Sequence, residues 1–152
     1  AGVKRQLIGA FSETWLEPMV KVLASLGSTR VWAVHGSDGL DEITTTGPTR
    51  VVSLENGKIE SFSISPADVG LEPAKPEVLR GGTPEENAAA LNAVLAGDKT
   101  GFRDIAAFNA AAALLVAGKA TDLKDGFAQA TAALDSGKAK ATLAALVKAS
   151  NA

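Results

Sequence analysis

The stretch RVWAVHGSDGLDEITTTGPTR, residues 30–50, decides the fold predicted for this chain of 152 residues. It opens on an apolar run, residues 31–34, that is typical of a buried strand. The run breaks at residues 35–39 into a loop that carries two adjacent acids, Asp41 and Glu42. Open α/β sheets bind their ligands just beyond the carboxyl ends of strands. We therefore expect any chemistry of the chain to lie at this loop.

The segments on either side of this stretch complete an α/β pattern. A first apolar run, residues 6–11, predicts a strand, and the helix that follows should begin at the N-cap Ser12 and end at Gly27. Strand, helix and strand in this order form a βαβ unit, whose two strands are parallel. Further along, Asn56 and Gly57 separate two segments rich in β-formers, which predicts a hairpin.

The first helix is predicted to turn one apolar face towards the sheet. That face has helical spacing and carries Trp15, Met19, Val22, Leu23 and Leu26. Trp15 and Trp32 are both expected in the core. Pro18 should kink the helix or confine its regular part to the residues that follow.

The rest of the chain, from residue 81 onward, is predicted to be helical and is rich in alanine. A capping box at Thr83–Glu86 starts a helix that should end at Gly97. The next helix is apolar on nearly every side and should be interior, with Asn109 bonded to neighbouring backbone. The three helices that follow the one starting at Thr83 are expected at about residues 102–117, 121–136 and 138–149. The fold class is therefore α/β: part of a mainly parallel sheet with a β-hairpin, flanked by Ala-rich helices.

Composition excludes several kinds of partner and site. The formal net charge of -2 offers no basic surface for nucleic acid or for an anionic membrane. No run of 18 apolar residues exists, so no transmembrane span is predicted. The chain has no cysteine, which excludes disulfides and thiolate chemistry and is compatible with the cytoplasm. Its one histidine excludes a site built on several histidines.

The paired acids suggest a metal site. Asp41 and Glu42, adjacent on a loop, can face one cation, and Mg²⁺ is typically held by one or two carboxylates, waters and a substrate phosphate. The alternative is a solvated acidic turn before a hairpin. His35 is either a general base or phosphate contact, or a hydrogen-bonded residue at a strand end.

Short segments with a distinctive order and spacing occur along almost the whole chain: Gln6–Gly9, Leu16–Met19, Val34–Ile43, Thr46–Thr49, Gly81–Ala88, Asn109–Ala112 and Val116–Gly118. Taken together, these segments resemble anthranilate phosphoribosyltransferase. The resemblance covers the C-terminal part of that family only. It implies that residues 1–152 are the C-terminal portion of an α/β domain of the nucleoside phosphorylase/phosphoribosyltransferase type.

The resemblance also implies an activity and a role for the acids. In the family an Asp-Glu pair, matched by Asp41 and Glu42, binds the Mg²⁺ that accompanies the pyrophosphate of phosphoribosyl pyrophosphate. The anthranilate amine attacks C1 of the ribose and pyrophosphate leaves, in tryptophan biosynthesis. Family members carry a Gly-Thr-Gly-Gly-Asp loop, a Lys-His-Gly-Asn segment, an anthranilate-contacting arginine and an N-terminal helical dimerisation domain upstream. None of these is found in this chain, which alone is expected to be inactive.

Two other hypotheses stay open at this stage. The chain could be a fragment of a related nucleoside phosphorylase, or a non-catalytic standalone module. Because it starts at Ala1 without Met, and a strand is predicted almost at once, we expect its start to be a cut in a longer polypeptide.

Overall fold

The computed structural model describes residues 2–152, so Ala1, where we expect the cut, lies outside the described residues. Its sheet has four strands in sequential order, and their bounds are β1 Arg5–Gly9, β2 Arg30–Gly36, β3 Thr49–Glu55 and β4 Lys58–Ile64. β1 and β2 are parallel, whereas β3 is antiparallel to both β2 and β4. The α/β class is confirmed. Among the strands of residues 2–152, however, parallel pairing is confined to β1 and β2, because an excursion of twelve residues, 37–48, returns the chain beside β2 without a crossover.

The βαβ unit forms as predicted. A 3₁₀ turn, Glu13–Trp15, follows the N-cap Ser12 and leads into helix α1, Leu16–Ser25. Pro18 lies in the first turn of α1, where backbone N–H groups have no partner within the helix, so its missing N–H costs no hydrogen bond. The regular helix thus runs on from Pro18, as expected.

The buried face of α1 differs from the predicted one. Leu16 and Val20 are its fully buried residues, whereas Trp15 is 51% and Leu26 71% exposed. The prediction that Trp15 belongs to the core is therefore wrong, while Trp32 is buried as expected. Because the 3₁₀ turn precedes α1, the helical periodicity starts at Leu16 and not at Trp15, and the inward stripe is shifted by one residue.

The hairpin between β3 and β4 is confirmed. Asn56 and Gly57 connect the strands with φ of 50° and 78°, the positive values that a two-residue type I′ turn requires. Asparagine and glycine tolerate these angles at little cost, so the turn sets the register that places Glu55 opposite Lys58.

Four helices follow the sheet. Their bounds are α2 Pro84–Ala96, α3 Gly101–Ala117, α4 Leu123–Asp135 and α5 Lys138–Ser150. The capping box predicted at the start of α2 is present, with Thr83 accepting from the Glu86 N–H and Glu86 accepting from the Thr83 N–H. α3 is interior as predicted and packs on β1 and β2. α5 buries none of its residues, and Val147 is 52% exposed.

Among residues 2–152 no single helix is long and apolar enough to cross a membrane. The pair α2 and α3, bent by 71° at the break between them, has the length and composition needed for a span when the two helices are taken together.

The sheet separates two apolar clusters, and β2 contributes to both. Val31 and Ala33 pack on the α1 side, with Leu16 and Val20. The alternate residues of β2 pack on the α3 side, in a cluster that comprises Trp32, Val34, Ile43, Val51, Ile64, Val69, Phe108, Ala112 and Val116. β2 is therefore a continuous apolar run because both of its faces are covered.

Two valines of α1 test the orientation of that helix. Val20→Ala should lower the free energy of unfolding by about 2 kcal/mol, because it removes two methyl groups from a fully buried side chain. Val22→Ala, the matched control at a side chain 56% exposed, should change it by less than about 0.5 kcal/mol. Urea unfolding followed by circular dichroism measures both, and a larger loss for Val22→Ala would contradict the orientation.

Candidate metal site on the acidic loop

The segment that joins β2 to β3, residues 37–48, is called the acidic loop below. The Ser37 N–H donates to the Pro48 carbonyl at 2.9 Å and closes the base of the loop. The Gly36 N–H donates to the Leu40 carbonyl at 2.8 Å and folds the first part back on the strand. The loop thus leaves the sheet at the carboxyl end of β2, which is also the end where the parallel strand β1 stops.

The two acids project from this loop without protein partners. Asp41 and Glu42 are both exposed, and within residues 2–152 neither carboxylate takes part in a salt bridge or a hydrogen bond. Their negative charge is therefore not neutralised by a neighbouring cation of the described chain. The structure places them where the sequence predicted, beyond the carboxyl ends of two neighbouring strands.

Gly9, at the end of β1, lets the loop approach the sheet. A Cβ atom at this position would lie 1.5 Å from the carbonyl oxygen of Asp41 and 2.5 Å from its carbonyl carbon. No side chain fits there, so the backbone of the first acid rests directly on the end of β1. The sequence pattern did not single out Gly9, because the contact joins residues that are far apart in the chain.

Immediately after the acids the chain becomes fully buried. Ile43 is 0% exposed and belongs to the apolar cluster on the α3 side. Its N–H donates to Oδ1 of Asn109 at 3.0 Å, and its carbonyl accepts from Nδ2 of Asn109 at 2.7 Å. The next residue, Thr44, donates its N–H to Oγ1 of Thr49 at 3.0 Å. The predicted bonding of the Asn109 amide to backbone is confirmed, although its side chain is part-buried rather than buried, and two of its bonds go to the backbone of the acidic loop.

A third carboxylate, Asp38, organises the interior of the loop. Its Oδ2 accepts from the hydroxyls of Thr44 at 2.5 Å and Thr46 at 2.7 Å, and its Oδ1 accepts from the Leu40 N–H at 3.2 Å. Partial burial acts to raise the pKa of the Asp38 carboxyl, but these hydrogen bonds favour the charged form, and together they bring the pKa below its ordinary value. Asp38 is thus a charged anchor for the threonines and not a free ligand.

His35 has a structural contact at the strand end. Its Nδ1 lies 2.8 Å from the carbonyl oxygen of Ala10, and the ring is partly buried. Because a carbonyl can only accept, Nδ1 carries a proton in this contact. Of the two roles considered for His35, the hydrogen-bonded residue at a strand end is the one that the geometry supports.

Two carboxylates alone make an incomplete cation site. Within residues 2–152 no group of three or more His, Asp or Glu side chains is placed to hold a metal ion. Mg²⁺ needs no such cage, since it keeps several waters and commonly shares its remaining positions with substrate phosphate. The exposed, unpaired oxygens of Asp41 and Glu42 are donors of the chemistry that this ion takes.

The comparisons with known proteins assign the family. The family model described as "Glycosyl transferase family, a/b domain" matches residues 1–140, and the chain belongs to this family. An anthranilate phosphoribosyltransferase from Methylocella silvestris is 60% identical over 151 residues, which are 99% of this chain and 43% of that protein. The resemblance inferred from the sequence motifs is therefore confirmed. The chain spans less than half the length of this relative.

Solved structures give the same result for the fold. The anthranilate phosphoribosyltransferase of Thermus thermophilus superposes with a TM-score of 0.87 at 40% identity, over 97% of this chain and 44% of that one. The enzyme from Saccharomyces cerevisiae, in complex with PRPP and Mg, has a TM-score of 0.80 at 27% identity over 90% of this chain and 40% of its own. The same yeast protein has also been solved with 4-fluoroanthranilate. The predicted phosphoribosyltransferase-type fold is confirmed.

The close approach at Gly9 gives a prediction about the loop. Gly9→Ala should displace the backbone of Asp41 and destabilise the chain by about 1–3 kcal/mol or more, the usual cost of forcing atoms into a filled space. Gly39→Ala, in the same loop, is the control: its Cβ meets nothing within 4 Å, and only the positive φ of 91° is strained. Amide chemical shifts of residues 40–43 should move far more in Gly9→Ala, and equal, small shifts would contradict the contact.

The lowered pKa of Asp38 gives a prediction about acid stability. A depressed pKa in the folded state contributes stability above the ordinary carboxyl value of about 3.9, and this contribution is lost as the pH falls through the folded value. Asp38→Asn should therefore be less stable at pH 7 and should lose less stability on acidification. Urea unfolding between pH 7 and pH 3 measures this, with the exposed Asp98→Asn as control. Parallel curves for Asp38→Asn and the unsubstituted chain would refute it.

Proposed function

We propose that this chain is the C-terminal portion of the α/β domain of an anthranilate phosphoribosyltransferase, the transferase that joins phosphoribose to anthranilate in tryptophan biosynthesis. The proposal is supported by the identity to relatives of that name and by the acids at the sheet end. We place the protein in the cytoplasm and propose no nucleic-acid or membrane partner. The alternative of a nucleoside phosphorylase fragment is less well supported, because the relatives described above are phosphoribosyltransferases.

The role of this chain in the reaction is to hold a cation. Asp41 and Glu42 would bind Mg²⁺ together with the pyrophosphate of phosphoribosyl pyrophosphate, as two carboxylates with no competing protein cation among the described residues. Bound Mg²⁺ neutralises charge that develops on the leaving pyrophosphate. The amine of anthranilate is itself the nucleophile, so the protein's task is to hold the reactants in line and to position charge, not to form a covalent intermediate. The observation that carries this proposal is the exposure of both carboxylates at the carboxyl ends of β1 and β2.

The remaining contacts to the substrates belong, in our proposal, to the N-terminal part of the same protein, through which the intact enzyme would also form a homodimer. β1 is an edge strand, with β2 on one side and no partner among residues 2–152 on the other. Beside it lies an apolar groove of about 250 Å³ lined by Ile8, Trp15, Pro18, Met19, Val22 and Leu23. An open strand edge next to exposed apolar surface is typical of a surface that another segment covers. This argues against a standalone module.

The test compares the chain alone with the same chain fused to the N-terminal part of a relative. The purified 152-residue chain should show no turnover with phosphoribosyl pyrophosphate, anthranilate and Mg²⁺. Fused behind the N-terminal part of the Methylocella silvestris relative, it should restore Mg²⁺-dependent formation of phosphoribosyl anthranilate. The reaction is monitored by the loss of anthranilate fluorescence.

The acids are then tested in the fused protein. Asp41→Asn together with Glu42→Gln should lower kcat/KM by roughly 10²-fold or more, because a metal contributes several kcal/mol to stabilising transition-state charge. Asp98→Asn, an exposed acid on the helical side, serves as the control and should leave kcat/KM unchanged. Turnover by the chain alone, or full activity after the double substitution, would overturn the proposal.

A further inference from the structure

The side chains of the exposed acids make no hydrogen bond or salt bridge among the described residues, so their position is set by the backbone on either side. We infer that Asn109, on α3, is the positioning residue for the pair Asp41 and Glu42: its amide fixes the residue after them and so holds both carboxylates on one cation. The inference rests on the proposed metal role of the pair. It assigns to Asn109 an effect on metal affinity beyond its contribution to folding.

The contact between Asn109 and Ile43 has two points of attachment. Oδ1 accepts the Ile43 N–H at 3.0 Å, and Nδ2 donates to the Ile43 carbonyl at 2.7 Å, so the amide mimics a neighbouring strand. Bonding both backbone groups of one residue restrains both peptide planes that flank it. The plane on the N-terminal side of Ile43 is the one it shares with Glu42.

The orientation of the amide is determined by its partners. Nδ2 donates to a second carbonyl, that of Ile105 one turn earlier in α3, at 3.0 Å. A flipped amide would bring the oxygen against two carbonyls and an NH₂ group against an N–H, which is repulsive at every contact. In this orientation the asparagine amide satisfies all three partners.

The helix that carries Asn109 is packed into the core. Its neighbours Phe108 and Ala112 are both 0% exposed and belong to the apolar cluster that also contains Ile43. Asn109 thus ties the loop to the packed interior across 66 residues of sequence. Between Glu42, which is exposed, and Ile43, which is 0% exposed, the chain passes from the surface into the core.

Preorganisation is the reason why this contact matters for metal binding. Two adjacent carboxylates repel each other, and a free loop would relax so that they separate. A cation would then have to draw them together, and the cost of ordering the loop would be subtracted from its affinity. When Asn109 restrains the backbone, the loop is already ordered in the folded protein, and the free energy of ordering it is not subtracted from the affinity for the cation.

The experiment uses the 152-residue chain labelled with ¹⁵N and titrated with Mn²⁺ as a paramagnetic probe. In the unsubstituted chain the amides of residues 40–43 should broaden at lower Mn²⁺ than those around Glu85 and Glu86, an adjacent acid pair elsewhere in the chain. In Asn109→Ala the apparent affinity at residues 40–43 should fall about tenfold, equivalent to about 1.4 kcal/mol. Asn92→Ala is the matched control, since among residues 2–152 its exposed amide bonds only to the Ala88 carbonyl of its own helix, and it should not change the titration.

A second variant and a second readout separate positioning from folding. Asn109→Asp keeps the shape and the acceptor for the Ile43 N–H but sets an oxygen against the carbonyls of Ile43 and Ile105, so it should weaken Mn²⁺ binding at least about fivefold. Exchange of the Ile43 amide with D₂O, measured on folded protein, should be slow in the unsubstituted chain and fast in Asn109→Ala. These results together support the inference.

Two results overturn it in distinguishable ways. If the unsubstituted chain shows no preferential broadening at residues 40–43, the metal role of Asp41 and Glu42 fails and the inference falls with it. If that broadening is present and either Asn109 variant, folded by circular dichroism, binds Mn²⁺ as tightly as the unsubstituted chain, the positioning role alone is refuted.

Discussion

The burial of β2 on both faces is the constraint on which the rest of the structure depends. Val31 and Ala33 pack on the α1 side, and Trp32 and Val34 pack in the cluster beneath α3. A strand covered in this way cannot slip in register, because a shift of one residue would exchange its two faces. β1 and β3 are both aligned on it, one parallel and one antiparallel. The end of β2 is therefore a fixed point, and the acidic loop starts from it.

In the acidic loop, the groups that hold the backbone in place are different from the two acids that would bind a cation. The groups that hold it are neutral or locally satisfied: the Gly9 contact, the Ile43 side chain, the Thr49 hydroxyl and the internal carboxylate of Asp38. The two acids that would bind a cation take no part in this framework. A carboxylate engaged in a salt bridge would have to exchange its partner for the metal, and the difference would reduce affinity. Exposed acids on a firmly anchored backbone avoid that competition.

Local signals in the sequence were sufficient for much of this arrangement. The Asn56-Gly57 turn and the capping box at Thr83 are each encoded within a few residues, and the strand–helix–strand order is encoded in consecutive segments of residues 5–36; all are present. The exposure of Asp41 and Glu42 followed from two charges on a loop. The role of Asp38 was missed, although the three threonines that follow it could have indicated hydroxyl donors for a nearby carboxylate.

Long-range packing decided the rest. The buried face of α1 depends on where the 3₁₀ turn places the helix against the sheet, and Gly9 matters only because Asp41 returns to it. The antiparallel pairing of β3 with β2 depends on a loop that closes on itself. The spacing of apolar residues in the sequence does not indicate that closure.

Crystals of the chain soaked in Mn²⁺ and measured at an anomalous wavelength test most directly whether Asp41 and Glu42 share one divalent cation at the carboxyl ends of β1 and β2. We expect a strong peak within coordinating distance of one carboxylate oxygen from each residue. Side chains that diverge with no peak between them, while Mn²⁺ occupies other acids of the same crystal, would contradict it.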